Sequence, residues 1–499
     1  MHLSYIPYPA TGYSSGDASW QLTAATFVGL MSLPGLAVLY GGLVQKKWAV
    51  NTMLMAFSAF SLVLIVWTLW GFDMGFGQPW VTLGVKVAGS GTGFVGKPGA
   101  SFGAGQEAQA NIPLLNGLMP PFNFSQSALF YFQFVFAAIT PLLWLGSVIG
   151  RMSFKAWLII VPLWTTVVYS VDAFMIWGGG FWAGMGAVDY SGGYVIHLSA
   201  GTAGFVAAAI IGPRLRKDKE HGAPNNLLMC ATGAGILWLG WNGFNGGDPY
   251  FASPDAAAAV VNTNICTATA LLVWLIMDYL LSPAKKPTLL GSINGMIVGL
   301  VTITPAAGFV NGFGAICLGV ISSAVVWLAW YKLQPRWIFK KVDDTLGVVY
   351  THGIAGLCGG LLVGLFADPN MIEYLGVKGS SSFSVGGLFY TGHWHQLIVQ
   401  AGAALTVIGW TALGTFVIFR VVGLFINLRL PDEVLETGDL AVHDEEVYPP
   451  QGLTTAPVLA AVGAGTAPGD EPAEAAGASG AAQPGKPIES GTAAPSGES

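Results

Sequence analysis

The chain has 499 residues, of which 53% are apolar and only 9% are Asp, Glu, Lys or Arg, against roughly 25% charged residues in an ordinary soluble domain. That composition excludes a soluble globular protein, the 12% aromatic content excludes disorder throughout, and 69 glycines without a strict third-residue period exclude a collagen-like chain. What remains is a polytopic membrane protein whose net charge of −6 offers no basic surface to a nucleic acid.

The N-terminal stretch MHLSYIPYPATGYSSGDASW lacks the basic and apolar regions of a cleavable leader, so the first helix is expected to stay in the mature protein. A spanning helix needs about 20 mostly apolar residues. Such segments centre near residues 32, 61, 138, 166, 202, 235, 269, 297, 320, 357 and 411, which predicts an all-α protein with eleven transmembrane helices. Residues 73 to 126 read as a long Gly-rich connection after the second helix, and the Asn123-Phe124-Ser125 sequon within it is taken as coincidence.

An odd number of helices places the termini on opposite faces. Basic residues gather at alternate connections, at Lys46/Lys47, Arg151/Lys155, Arg214/Arg216/Lys217/Lys219, Lys285/Lys286, Lys332/Arg336/Lys340/Lys341 and Arg420/Arg429. The other face carries only Lys86, Lys97 and Lys378. By the positive-inside rule the N-terminus is expected outside and the C-terminus in the cytoplasm. Three parts are expected: a transmembrane domain over 1–430, a cytoplasmic segment over 431–450, and an Ala/Gly/Pro-rich tail over 451–499. The tail has too little apolar surface to order itself.

Cys230, Cys266, Cys317 and Cys358 lie in apolar segments without a CxxC and read as small core residues. His197-Leu-Ser-Ala-Gly201 in the fifth helix reappears as His352-Gly-Ile-Ala-Gly356 in the tenth. Five helices separate the copies, so they run in opposite directions, as in an inverted five-helix repeat followed by an eleventh helix. Ionisable side chains at membrane depth cost several kcal/mol and are functional candidates by default, which singles out both histidines.

The run Asp189-Tyr-Ser-Gly-Gly193, then His197, through Gly212 and Arg214, resembles the signature of the ammonium transporter (Amt/MEP/Rh) family. PGLAVLYGGLV at 34 to 44, Phe132-Gln133 with Phe136, Trp177-Gly-Gly-Gly180, GWNGFNGG at 240 to 247, Thr304-Pro305 and the stretch Asp343 to Gly353 resemble it too, in the family's order, from residue 17 to about 430. The resemblance implies an ammonium transporter. It implies recruitment at an aromatic mouth of Trp177, Phe132 and Phe136, a gate of Phe136 and Phe244, and a pore containing the paired histidines His197 and His352. Aromatic faces suit a small cation because their quadrupole attracts it without holding it irreversibly. Paired neutral imidazoles offer a donor and an acceptor in an apolar lumen.

Asp189 and Thr304 are expected to be structural beside the site, Asp189 by orienting backbone groups at the start of the fifth helix. Asp248 stands where many members have a serine, and is read either as a carboxylate that attracts and deprotonates the cation or as a turn residue before Pro249. Asp172 occupies a usually apolar position in the fourth helix and is expected to pair with a neighbouring Ser, Thr or Asn. Gly347 and Tyr350 also depart from the pattern, so the cytoplasmic end of the path is expected to differ. His393 and His395 form an HxH without a third ligand, and no metal, cofactor or enzymatic activity is expected.

The resemblance further implies a homotrimer in the plasma membrane, ammonium or ammonia as substrate, and a regulatory segment at 431–450 able to meet a PII-type signalling protein. Other functions compatible with the fold are an ammonium sensor and a passive Rh-type neutral-gas channel. A membrane metalloenzyme using His197 and His352 lacks an HExxH and a third ligand.

Overall fold

The computed structural model describes residues 12–82, 93–115, 119, 121–220, 222–371 and 385–448; Lys86, Lys378 and the 451–499 tail expected from the sequence lie outside them. The chain divides into a body, Met1–Val447, and a unit Tyr448–Ser499, of which only Tyr448 is described.

Among the described residues, ten helices are long and apolar enough to cross a membrane: Ser15–Leu43, Lys46–Phe76, Gln126–Val148, Phe154–Gly184, Gly193–Ile211, Leu227–Gly246, Pro254–Leu281, Gly312–Leu333, Val349–Phe366 and His395–Gly423. Each covers one of the expected centres. The remaining expected centre, near 297, falls in the shorter apolar helix Leu289–Ile303. Its 15 residues reach about 22 Å, and the chain then continues in turns through Thr304 and Pro305. For brevity we number the helices one to eleven, with Leu289–Ile303 as the eighth.

Short polar residues start several of these helices by satisfying N–H groups that have no intrahelical acceptor. The Ser14 side chain accepts from Asp17 N–H, Asn226 from Leu228 and Met229, Thr288 from Gly291, and Asn311 from Gly314. The Gly-rich connection contains what helical counting misses, a small antiparallel hairpin pairing Pro79–Thr82 (β1) with Gly93–Gly96 (β2).

Helices five and ten cross antiparallel at the centre. A Cβ on Gly201 would collide with Gly353 Cα, and one on Gly356 would meet the Gly193 carbonyl and the His197 Cβ. The repeated glycines therefore set the distance of closest approach, the use that small residues have in membrane interfaces. Both helices open with a wide π-helical turn, Gly193–Leu198 and Val349–Ile354, and each turn contains its histidine. Such turns occur often at functional sites.

The two ends of the bundle differ in charge. At the basic end, Arg151 is fully buried and donates to Gly212 O, Thr345 Oγ1 and the Asp343 carbonyl. Arg214 grips the Asp343 carboxylate with both Nε and Nη2, at 3.0 and 2.8 Å. Burial brings Arg151 down to about 10, so it stays charged at neutral pH. Although burial acts to raise the Asp343 carboxyl, Arg214 and Arg151 together hold it well below the usual carboxylate range.

Residues 431–447 pack on this same end. Asp432–Thr437 and Asp439–His443 are short helices. The Asp439 carboxylate accepts from Val50 and Asn51 N–H at 2.7 and 2.9 Å, and Lys47 Nζ bridges Asp218 and the Leu435 carbonyl. The segment thus sets the Asp439 carboxyl against the first turn of helix two, where it satisfies two N–H groups that have no intrahelical acceptor.

Candidate functional site

The opposite, long-loop end leads into a column of rings. Trp177, at the end of the helical part of helix four, donates through Nε1 to the Asp189 carbonyl at 2.6 Å. Its ring lies 6.1 Å from Phe136, edge to face, and Phe132 lies 4.7 Å from Phe136. Phe136 and Phe244 stack at 4.3 Å with planes 18° apart, and both are fully buried. Nothing passes between two rings in contact, so this pair closes the column. Breaking such a stack costs about 1 kcal/mol beyond the area exposed, a barrier that thermal motion overcomes.

Below the rings, Phe244 lies 6.0 Å from His197, which stacks on Trp241 at 5.3 Å with planes 17° apart. His197 Nδ1 and His352 Nδ1 are 3.2 Å apart, both rings are buried, and their planes differ by 28°. One proton lies between the two Nδ1 atoms, so when both rings are neutral, one Nε2 carries a hydrogen and the other offers a lone pair. His197 Nε2 has no partner. A small molecule that both donates and accepts hydrogen bonds fits that open position.

Asp189 holds the start of helix five. Its Oδ1 accepts from Gly192 and Gly193 N–H and its Oδ2 from Tyr194 and Val195 N–H, at 2.6 to 3.0 Å. Burial pushes its carboxyl up and the four N–H groups pull it back. Gly192 sits at φ +113°, a left-handed conformation that glycine adopts without strain. The Asp189 carboxylate thus engages four N–H groups of the turn that opens helix five. Thr304 acts at one remove: its hydroxyl accepts from Trp241 Nε1 at 2.9 Å and donates to Leu300 O, fixing the indole beneath His197.

Asp248 is buried against Ser191. It is 6% exposed, and Ser191 Oγ lies in close hydrogen-bond contact with its Oδ2. Burial, with Asp189 nearby, pushes its carboxyl well up, against the opposing pull of Ser191. Gly247 beside it packs on the Phe132 ring, and Gly192 beside Ser191 packs on Trp177. Asp248 therefore stands against the aromatic layer, joined to the turn that Asp189 organises.

Asp172 finds the kind of partner expected for it, Thr411 Oγ1 at 3.0 Å from Oδ2. His393 precedes helix eleven and His395 opens it, both exposed, and no group of three metal-ligating side chains occurs among the described residues. All four cysteines are free. Two residues of the site went unassigned in the sequence. Trp241 lies three positions before Phe244, on the same helical face, which was the available signal. Ser191 lies within the quoted Asp189 to Gly193 run, but only the fold shows that it meets Asp248.

Comparison with known proteins identifies the family and the fold. The Ammonium Transporter Family profile matches residues 19–448. The chain is 48% identical over 440 residues to "Ammonium transporter 3 member 2" of Oryza sativa subsp. japonica, covering 87% of this chain and 90% of that one. It is 45% identical over 446 residues to "Ammonium transporter 2" of Arabidopsis thaliana, covering 89% and 90%. Among solved structures, Candida albicans Mep2 superposes with a TM-score of 0.72 at 26% identity over 85% of this chain and 88% of that one. Saccharomyces cerevisiae Mep2 gives 0.71 at 28% identity over 85% and 89%. With its helical bundle, its ring column and these matches, the chain belongs to the ammonium transporter family and is a multi-pass membrane protein.

Proposed function

We propose that the protein recruits ammonium at a mouth made by Trp177, Phe132, Phe136 and Asp248, and conducts ammonia or ammonium past the Phe136 and Phe244 gate to His197 and His352. The observation that carries this reading is the histidine pair, 3.2 Å apart and buried, with His197 Nε2 left open beneath the gate. A cation must shed water to enter a dry lumen, and a desolvated aromatic face returns about 2 kcal/mol of that cost. Potassium gains the same attraction but has no proton to give up, so it stalls where ammonium does not.

The distribution of basic residues supports a long-loop end outside and a basic end in the cytoplasm, with helices one to eleven as spans. On that reading the 431–450 segment is cytoplasmic and regulatory, within reach of a PII-type protein, and the transporter works as a homotrimer in the plasma membrane. The test is an ammonium pulse applied to proteoliposomes on a solid-supported membrane. Ammonium, and methylammonium less well, should give transport that potassium does not, and a potassium current matching that of ammonium overturns the reading.

A further inference from the structure

The contact between Asp248 and Ser191 contains one hydrogen too few. Ser191 Oγ has a single hydrogen to donate and two acceptors beside it, the Phe244 carbonyl at 3.1 Å and Asp248 Oδ2. Both contacts are satisfied when Asp248 carries a proton: Asp248 then donates to Ser191 Oγ, and Ser191 donates to Phe244 O. The surroundings agree. Among the described residues the ion pairs involve Lys46, Lys47, Arg214, Arg216, Lys217 and Arg429, all on the basic end, so no cation is paired with Asp248.

Two titratable groups on packed elements are coupled to it. Asp189 lies on the same turn as Ser191. The Tyr169 hydroxyl of helix four is buried, has no hydrogen-bond partner and lies within electrostatic reach of both Asp189 and Asp248. Farther along, Asp17 accepts from Ala252 N–H, Asp255 opens helix seven, and Tyr250 accepts from Gln133. No basic side chain is among these neighbours, and each acidic one, when charged, opposes ionisation of Asp248.

We infer that Asp248 is a proton-exchanging residue of the mouth: it is protonated when the mouth is empty, ionises toward the outer solvent as ammonium arrives, and then takes the ammonium proton. The inference rests on the recruitment reading above. In the first step the carboxyl O–H bond breaks and the proton leaves to water. In the second an N–H bond of ammonium breaks, its electron pair stays on nitrogen, and the proton forms a new O–H bond on Asp248, leaving ammonia at the gate. No electron is transferred and the carboxyl ends as it began. Each turnover leaves one ammonium proton on the recruiting side. It also follows that recruitment weakens in acid, because a protonated Asp248 offers the cation no charge.

The experiment is ammonium uptake into proteoliposomes at external pH 5 to 8, corrected for empty vesicles, with wild type, Asp248→Asn, Asp248→Glu and Trp177→Leu. Wild-type half-saturation should tighten as pH rises. Asp248→Asn should show no such trend and be weaker by about five-fold at pH 8, and Asp248→Glu, which keeps a titratable carboxyl, should restore the trend. The inference is overturned if wild type and Asp248→Asn share one pH dependence, or if Asp248→Glu fails to restore the trend. If Trp177→Leu weakens uptake while Asp248→Asn does not, recruitment stands and Asp248 is only a turn residue. Should Trp177→Leu also behave as wild type, the recruitment reading fails together with the inference.

Discussion

The starts of helices five and ten are the same device used twice, on opposite ends of the bundle. Asp189 and Asp344 stand eight residues before His197 and His352 respectively, and each carboxylate receives backbone N–H groups from the turn that follows it. Their surroundings differ. Asp189 takes four N–H groups and faces aromatic rings and a second acid, Asp248, with no cation nearby. Asp344 takes two, from Val348 and Val349, and lies beside the Arg151, Arg214 and Asp343 knot. The repeated turn places the two histidines, and the neighbours differ, with a second acid and aromatic rings at one end and arginines at the other.

The largest effect that separates the two turns is removal of the carboxylate. Each buried N–H left without an acceptor costs about 1 to 3 kcal/mol, so Asp189→Ala should exceed the stability of the protein and leave no assembled material in detergent. Asp344→Ala, with half as many orphaned donors, should be recovered with a lowered thermal midpoint. Equal losses in yield and midpoint would show that the two turns are not distinguished by their hydrogen bonds.

Next in size is the crossing that both turns share. Gly201→Ala places a methyl group against Gly353, and overpacking of this kind costs about 1 to 3 kcal/mol. The variant should melt earlier and leak potassium as the histidines separate. Gly409→Ala in helix eleven meets nothing within 4 Å and should match wild type in both assays. If the two alanines behave alike, close approach at Gly201 does not set the pair.

Much of this is legible in the chain itself, because membrane helices announce themselves by apolar length, and the repeated His-x-x-Ala-Gly carries both the paired histidine and the glycine that lets its helix cross. The shortness of the eighth helix is not, since apolar composition does not register that the helix stops at Ile303, before Thr304 and Pro305. The hairpin in the Gly-rich connection left no trace because glycine-rich sequence has weak strand preference. Asp248 was ambiguous for a different reason. Whether a carboxylate is open or hydrogen-bonded depends on Ser191, 57 residues away in sequence, and no local pattern encodes that meeting.

The smallest expected effect concerns two acids of the basic end that should respond to pH in opposite directions. Burial, reinforced by Glu445 and Glu446, raises Asp439 to about 6 against the pull of its two N–H donors, above the ordinary value of about 3.9. Its contribution to docking residues 439–443 is therefore full below about pH 4 and lost as pH rises through 6. Asp343, held low by arginine, contributes above the ordinary value and loses its effect only as pH falls through its depressed one. Hydrogen exchange corrected for intrinsic rates should show 439–443 less protected at pH 7 than at pH 5 and the 343–345 turn unchanged. Parallel changes at both sites contradict this assignment.

On the proposed function, two antiparallel helices, each started by an aspartate turn, bring His197 and His352 together so that the pore passes ammonium and refuses potassium. Ammonium and potassium responses can be recorded from proteoliposomes containing wild type, His197→Ala or His352→Ala at matched protein density. Wild type should give an ammonium response without a potassium response, and each single variant should either lose the ammonium response or gain a potassium one. Single variants that both transport ammonium as wild type does, and still exclude potassium, would contradict it and reduce the pair to packing.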